Sequence, residues 1–147
     1  MDTPDTGRAV SDGAGTRVTA RLVDDTRRLG TLLRCFGDRM MRFEAAVFDW
    51  MHRVAPDYRG GFWQFYELSN GGFYMAPDRG SYRAKIETNG YEGVMSADAA
   101  GITTCLFACS HLSFHDPKGE LFAERFYQLR EYAMEHSEAG EILAAID

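Results

Sequence analysis

Two hydrophobic periods alternate along this chain, and the switches between them predict its elements. From Asp38 to Val54, the apolar residues Met40, Phe43, Val47, Trp50, Met51 and Val54 recur at helical spacing, opposite Arg42, Asp49 and Arg53. Gly37 breaks the chain before this helix, Asp38 is a candidate N-cap, and Pro56 ends it. Glu44 alone projects from the middle of the apolar arc. The period then shortens. Gly61–Leu68 and Gly72–Ala76 are aromatic-rich strands, and Ser69-Asn70-Gly71 between them is turn chemistry, so they form a hairpin ended by Pro77. Tyr82, Ala84, Ile86 and Thr88 alternate with Arg83, Lys85 and Glu87, a third strand with one wet face.

After a turn at Asn89-Gly90, the helical period returns. Ser96 is a candidate N-cap and Asp98 suits the positive end of a helix dipole. Ala97–Leu112 is apolar almost all round, which predicts a central, buried helix. A long amphipathic helix follows over Lys118–His136 and a short one over Glu138–Ile146. The order predicts a single α+β domain: a small three-stranded antiparallel sheet packed with about four helices. Residues 1–20, rich in Asp, Thr, Gly and Ser and without periodicity, read as a flexible tail, leaving 21–147 as the domain.

Composition narrows the function classes. The chain has 147 residues, 45% of them hydrophobic and 13% aromatic, enough for a packed core. No run reaches the roughly 18 apolar residues of a membrane span, and the N-terminus lacks the apolar segment of a secretory signal. Three cysteines, Cys35, Cys105 and Cys109, fit no disulfide spacing and suit a reducing cytoplasm. The net charge is −6, and Asp116–Asp147 holds eight acids against three bases. No Lys/Arg cluster stands out along the sequence, so direct nucleic-acid binding is not expected.

Several constellations invite chemistry and are better read as structure. Glu120, Glu124, Glu131 and Glu135 form a stripe with Tyr127 on one helix face. Four carboxylates over roughly 22 Å of helix compare with about 13 phosphates on the same length of duplex, too few to imitate DNA. A solvated or partner-docking face fits better. Glu44 and Arg125 each sit inside an apolar arc, and a buried charge needs a partner, so Glu44 is expected to meet a base, with Arg125 one candidate. Cys109, His111 and His115 match no zinc spacing. The glycines of 89–102 fit neither a Walker nor a dinucleotide pattern, and Glu92 and Asp98 would repel a phosphate. No nucleophile elbow surrounds Ser96, Ser110 or the thiols. No metal, cofactor or catalytic residue is expected.

Two long motifs carry a resemblance. Gly60–Asp78, GGFWQFYELSNGGFYMAPD, and Asn89–Ile102, NGYEGVMSADAAGI, followed by a tail ending EILAAID, resemble the ArdB/KlcA-type antirestriction proteins. Arg27–Met51, including Glu44, is similar to that family's N-terminal helix region, so the likeness covers about residues 25–147. The family tends to carry a proline before Phe36-Gly37 where this chain has Leu33, which leaves the entry to the first long helix open. The resemblance implies a compact α+β protein of the bacterial cytoplasm, encoded on plasmids or other mobile elements. It also implies relief of type I restriction of incoming unmodified DNA. The expected partner is the type I restriction–modification complex or a host factor it requires, and the sequence sets no oligomeric state.

The candidate partner contacts are Tyr66, Glu67, Asn70, Phe73, Tyr74, Asp78, Tyr91, Glu92, Asp98 and Asp147, the last for its two adjacent terminal carboxylates. Tyr66, Phe73 and Tyr74 cannot all be buried on one side of a thin sheet, and grouped exposed aromatics mark interfaces. Burial beneath the helices is the open alternative for these three. The competing function is a small enzyme that modifies or processes the restriction machinery, with Glu67, Asp78 or Glu92 as acid–base groups.

Overall fold

The computed structural model describes residues 17–147, so most of the expected tail lies outside the described residues. Strand β1 (Ala20–Leu22) leads through a short 3₁₀ turn to helix α1 (Arg28–Phe36), then α2 (Met40–Val54). Strands β2 (Trp63–Leu68), β3 (Phe73–Pro77), β4 (Ser81–Ile86) and β5 (Tyr91–Ser96) follow. Helices α3 (Ala97–His115), α4 (Gly119–Ala133) and α5 (Ala139–Ile146) close the chain. The fold is α+β, as expected.

The sheets are composed differently from the expectation. The main sheet runs β1-β2-β3, all antiparallel, while β4 and β5 pair only with each other. The third strand is therefore the N-terminal Ala-Arg-Leu, too short and mixed to show a period, and not the 82–88 segment. That segment instead turns at Gly90 (φ 76°) and pairs with Tyr91–Ser96, whose strand the sequence reading missed.

The β2–β3 hairpin forms as its turn residues require. Gly71 takes φ 93°, and the Leu68 N–H donates to the Gly72 carbonyl at 2.9 Å. Strand alternation puts Phe65, Glu67, Phe73 and Met75 on one face and Gln64, Tyr66, Tyr74 and Ala76 on the other. Both faces are covered. Phe73 meets Phe36 and Phe43 at ring distances of 5.7 and 5.9 Å, while Tyr74 stacks on Tyr132 of α4 at 5.7 Å.

Helix α3 threads the centre, buried at nearly every position from Ala97 to Cys109 as its all-round apolar pattern predicts, and emerges toward solvent at its C-terminal end. It approaches the sheet closely because residue 101 is glycine. A methyl group there would stand 2.5 Å from both the Ala76 Cα and the Met75 carbonyl oxygen. Ser96 caps the helix, accepting from the Ala99 N–H at 3.1 Å.

The entry to α2 departs from expectation. Gly37 (φ 55°) ends α1, and Asp38 lies in a 3₁₀ turn without making a side-chain cap. Leu33 sits inside α1, so that helix runs unbroken to Phe36.

Candidate functional site

A connected chain of polar groups lies at the N-terminus of α3, where the hairpin, α3 and the turn between α4 and α5 meet. Tyr74 is buried within β3, and its hydroxyl donates to Asp98 Oδ1 at 2.8 Å. The other Asp98 oxygen lies 2.8 Å from His136 Nε2. The Glu138 N–H donates to His136 Nδ1 at 2.9 Å, so Nε2 carries the proton that Asp98 accepts. Glu138 in turn accepts from the Ser96 N–H at 2.9 Å and from the Ser96 hydroxyl. Tyr66 stacks on Tyr74 at 4.6 Å and extends the network toward solvent. Burial first, and the Asp98 charge second, push the Tyr74 hydroxyl far above its ordinary range, so it acts as a fixed donor.

This arrangement superficially resembles an acid–base relay, yet both imidazole nitrogens of His136 and both oxygens of Asp98 are already engaged within the protein. A general base needs a free nitrogen within reach of a substrate proton. What the network does do is clamp three elements together.

The candidate contacts separate into groups. Phe73 and Tyr74 are buried and Tyr66 is half-buried, so the hairpin aromatics form no exposed cluster. The open alternative, burial beneath the helices, holds for Phe73 and Tyr74, because helices cover both sides of the sheet. Asn70 is a hinge pin: its amide donates to the Gln128 carbonyl at 2.9 Å and to Glu131 at 3.0 Å, and Gln128 Nε2 donates back to the Asn70 carbonyl at 3.1 Å. Tyr91 donates its hydroxyl to Glu141 of α5; burial and that bond raise its pKa. Glu92 faces solvent beside Lys85 at 3.5 Å, Asp78 lies near Arg79 at 3.6 Å, and Asp147 is exposed. Glu67, Asp78 and Glu92 thus have separate cationic neighbours and form no acid–base group.

Glu67 is surrounded by cations. Arg21, Arg27 and Arg34 approach its carboxylate at 2.7, 3.2 and 3.5 Å. The Arg21 hydrogen bond, with Arg27 adding to it, holds this carboxyl below the usual range against the opposing effect of desolvation. Sequence reasoning missed this cluster because the arginines come from a strand, a turn and a helix.

The expected Glu44 pairing is not formed. Arg125 donates through Nε to the Cys35 carbonyl at 2.7 Å and through Nη1 to Gln128 at 3.0 Å, and Glu44 is half-buried with no ion pair among the described residues. The buried charge is Asp116 instead. Its side chain is fully covered, with Arg39 and Arg42 at 3.1 and 2.7 Å, and it accepts from the Lys118 N–H at 2.8 Å. Its place between two helices, followed by Pro117, was the available signal.

The cysteines offer no ready nucleophile. All three thiols are buried, and desolvation raises each of them, Cys105 to about 12. No group of three potential metal ligands occurs among the described residues. None of the helices described is long and apolar enough to cross a membrane.

Fold and network together describe a small α+β protein whose internal polar groups brace one another, leaving its outer faces for contact. The comparisons with known proteins agree on its kind. The family model described as "Antirestriction protein" matches residues 56–147. The antirestriction protein KlcA of Escherichia coli is 44% identical over 137 residues, spanning 88% of this chain and 94% of the relative. The uncharacterized protein YafX of Escherichia coli K12 is 40% identical, spanning 88% of each. A solved structure from work on the KlcA and ArdB proteins matches all of both chains with TM-score 0.82 and 41% identity. Those proteins show a novel fold and antirestriction activity against type I DNA restriction systems in vivo but not in vitro. This chain belongs to the antirestriction protein family.

Proposed function

We propose that this protein relieves restriction of incoming unmodified DNA by type I systems, and that it acts by binding protein instead of imitating DNA. Family membership and whole-chain likeness to KlcA and ArdB support the first part. One observation carries the second: four of the seven acidic side chains from Glu120 to Asp147 are drawn into the protein's own network, which leaves only Glu120, Glu124 and Asp147 exposed and outside it. Glu131 accepts from Asn70, Glu135 lies 3.7 Å from Arg17, Glu138 accepts from Ser96 and Glu141 from Tyr91. A DNA mimic needs a free, regularly spaced array of negative charge.

Activity of the relatives in vivo but not in vitro supports a target that a purified restriction reaction lacks. That target is a host factor, or the restriction complex in a state it reaches only in the bacterial cytoplasm. A modifying enzyme has less support, since the acids suggested for it stand apart and His136 is fully occupied.

The test is the plating of unmodified phage on cells with an active type I system, with and without the protein. Plating restored while host DNA stays methylated is the expected result. Unchanged plating with soluble protein present would end the proposal.

A further inference from the structure

Helix α1 presents a solvent face that the fold does not use. Leu29 and Leu33, one turn apart, are 65% and 55% exposed. Arg27, just before the helix, and Arg34, two turns on, share its other exposed edge, and both reach Glu67. Between the leucine edge and the arginine edge lies Gly30. A Cβ at that position would meet nothing within 4 Å, so packing does not require glycine there. A glycine inside a helix is unfavourable by propensity, and here it leaves a bare strip between an apolar ridge and a cationic one.

The charge around this strip is also unbalanced. Arg21, Arg27 and Arg34 share one carboxylate, and Arg21–Arg34 holds four arginines against Asp24 and Asp25, so that with Glu67 one positive charge is left over.

We infer that the outer face of α1 is a docking surface for an acidic protein segment that presents leucine-like side chains beside its carboxylates. The inference rests on the protein-binding function proposed above and adds the surface and the chemistry of the partner. The arginines match carboxylates, the leucines match an apolar ridge, and the bare strip at Gly30 lets a partner's backbone approach closely. A nucleic-acid duplex would satisfy the arginines and leave Leu29 and Leu33 without a counterpart.

Two measurements test this. The first titrates labelled protein with a synthetic helical peptide carrying glutamates and leucines on one face, followed by amide NMR. Saturating shifts at Leu29, Gly30, Leu33 and Arg34 are expected, lost with an alanine-for-leucine peptide and in Gly30→Trp. No shift on α1 overturns the surface, and equal competition by duplex DNA overturns the partner class.

The second measures phage plating for Gly30→Trp and for the double variant Leu29→Glu, Leu33→Glu, each shown to melt as the parent does. Protection should fall about tenfold or more, the scale of losing one dominant contact. Full protection by both overturns the surface while the proposed function stands. If the parent itself gives no protection, the proposed function fails, and the titration alone decides the surface.

Discussion

Replacing a helical glycine by alanine should have opposite effects at two positions of this protein, and geometry fixes both signs. At Gly101 the added methyl would lie 2.5 Å from the Ala76 Cα and the Met75 carbonyl oxygen, more than 1 Å inside ordinary contact. The obstacle is backbone in a paired strand, so neither side can swing away, and α3 must lift from β3. Overpacking of this kind costs about 1–3 kcal/mol and sometimes more. The gain in helix propensity returns about 1 kcal/mol. Because the clash is with backbone, the upper end of the range applies, giving a net loss of about 2 kcal/mol. For a chain of this size that is roughly 4–8 °C in Tm. At Gly30 the methyl meets nothing, and Gly30→Ala should stabilise by about 0.5–1 kcal/mol. Urea unfolding of both variants beside the parent reads the two signs directly. A neutral or stabilising Gly101→Ala would refute the close helix–sheet approach on which the position of α3 depends.

Glu67→Gln should destabilise by about 1–2 kcal/mol at neutral pH, since three arginines lose their shared anion at a partly solvated site. Because the folded pKa of Glu67 is depressed, its contribution is fully present above the unfolded value near 4.3. It fades as pH falls through the lower folded value. Denaturant midpoints of parent and variant should therefore converge in acid, and a gap that widens there would contradict the pairing. Asp116→Ala should cost about 2 kcal/mol in a thermal or urea melt, below the range for a fully enclosed pair because Arg39 and Arg42 can reach water. An unchanged midpoint would remove Asp116 as the buried anchor. Cys35, Cys105 and Cys109 should resist Ellman's reagent in the native protein and react once it is unfolded. Fast native labelling would contradict their burial.

The elements with strong periodicity were readable in the sequence. The α2 stripe, the all-round apolar α3 and the Asn70-Gly71 turn each state their structure locally, and the Ser96 cap is where the pattern puts it. Strand β1 was not readable, because three residues carry no period and its pairing with β2 spans more than forty residues. The same distance hid the cage around Glu67 and the His136–Asp98–Tyr74 chain. Burial of Phe73 and Tyr74 turned on whether one or both faces of a small sheet are covered, a tertiary fact that strand alternation alone does not contain. Glu44 and Arg125 were both correctly seen as charges in apolar arcs. Pairing them assumed that charge seeks charge, whereas Arg125 is satisfied by a helix-end carbonyl and an amide oxygen.

The most direct test of the central claim combines plating with abundance. Unmodified phage are plated on a type I restricting strain while the protein is expressed over a graded range, and target methylation of host DNA is measured in the same cells. A protein-binding antirestriction factor predicts plating that climbs with expression until it saturates near the abundance of its target, with methylation intact. Full relief at a small fraction of the abundance of every restriction subunit and host factor would point to turnover and contradict the binding mechanism. No relief at any level would contradict the antirestriction function itself.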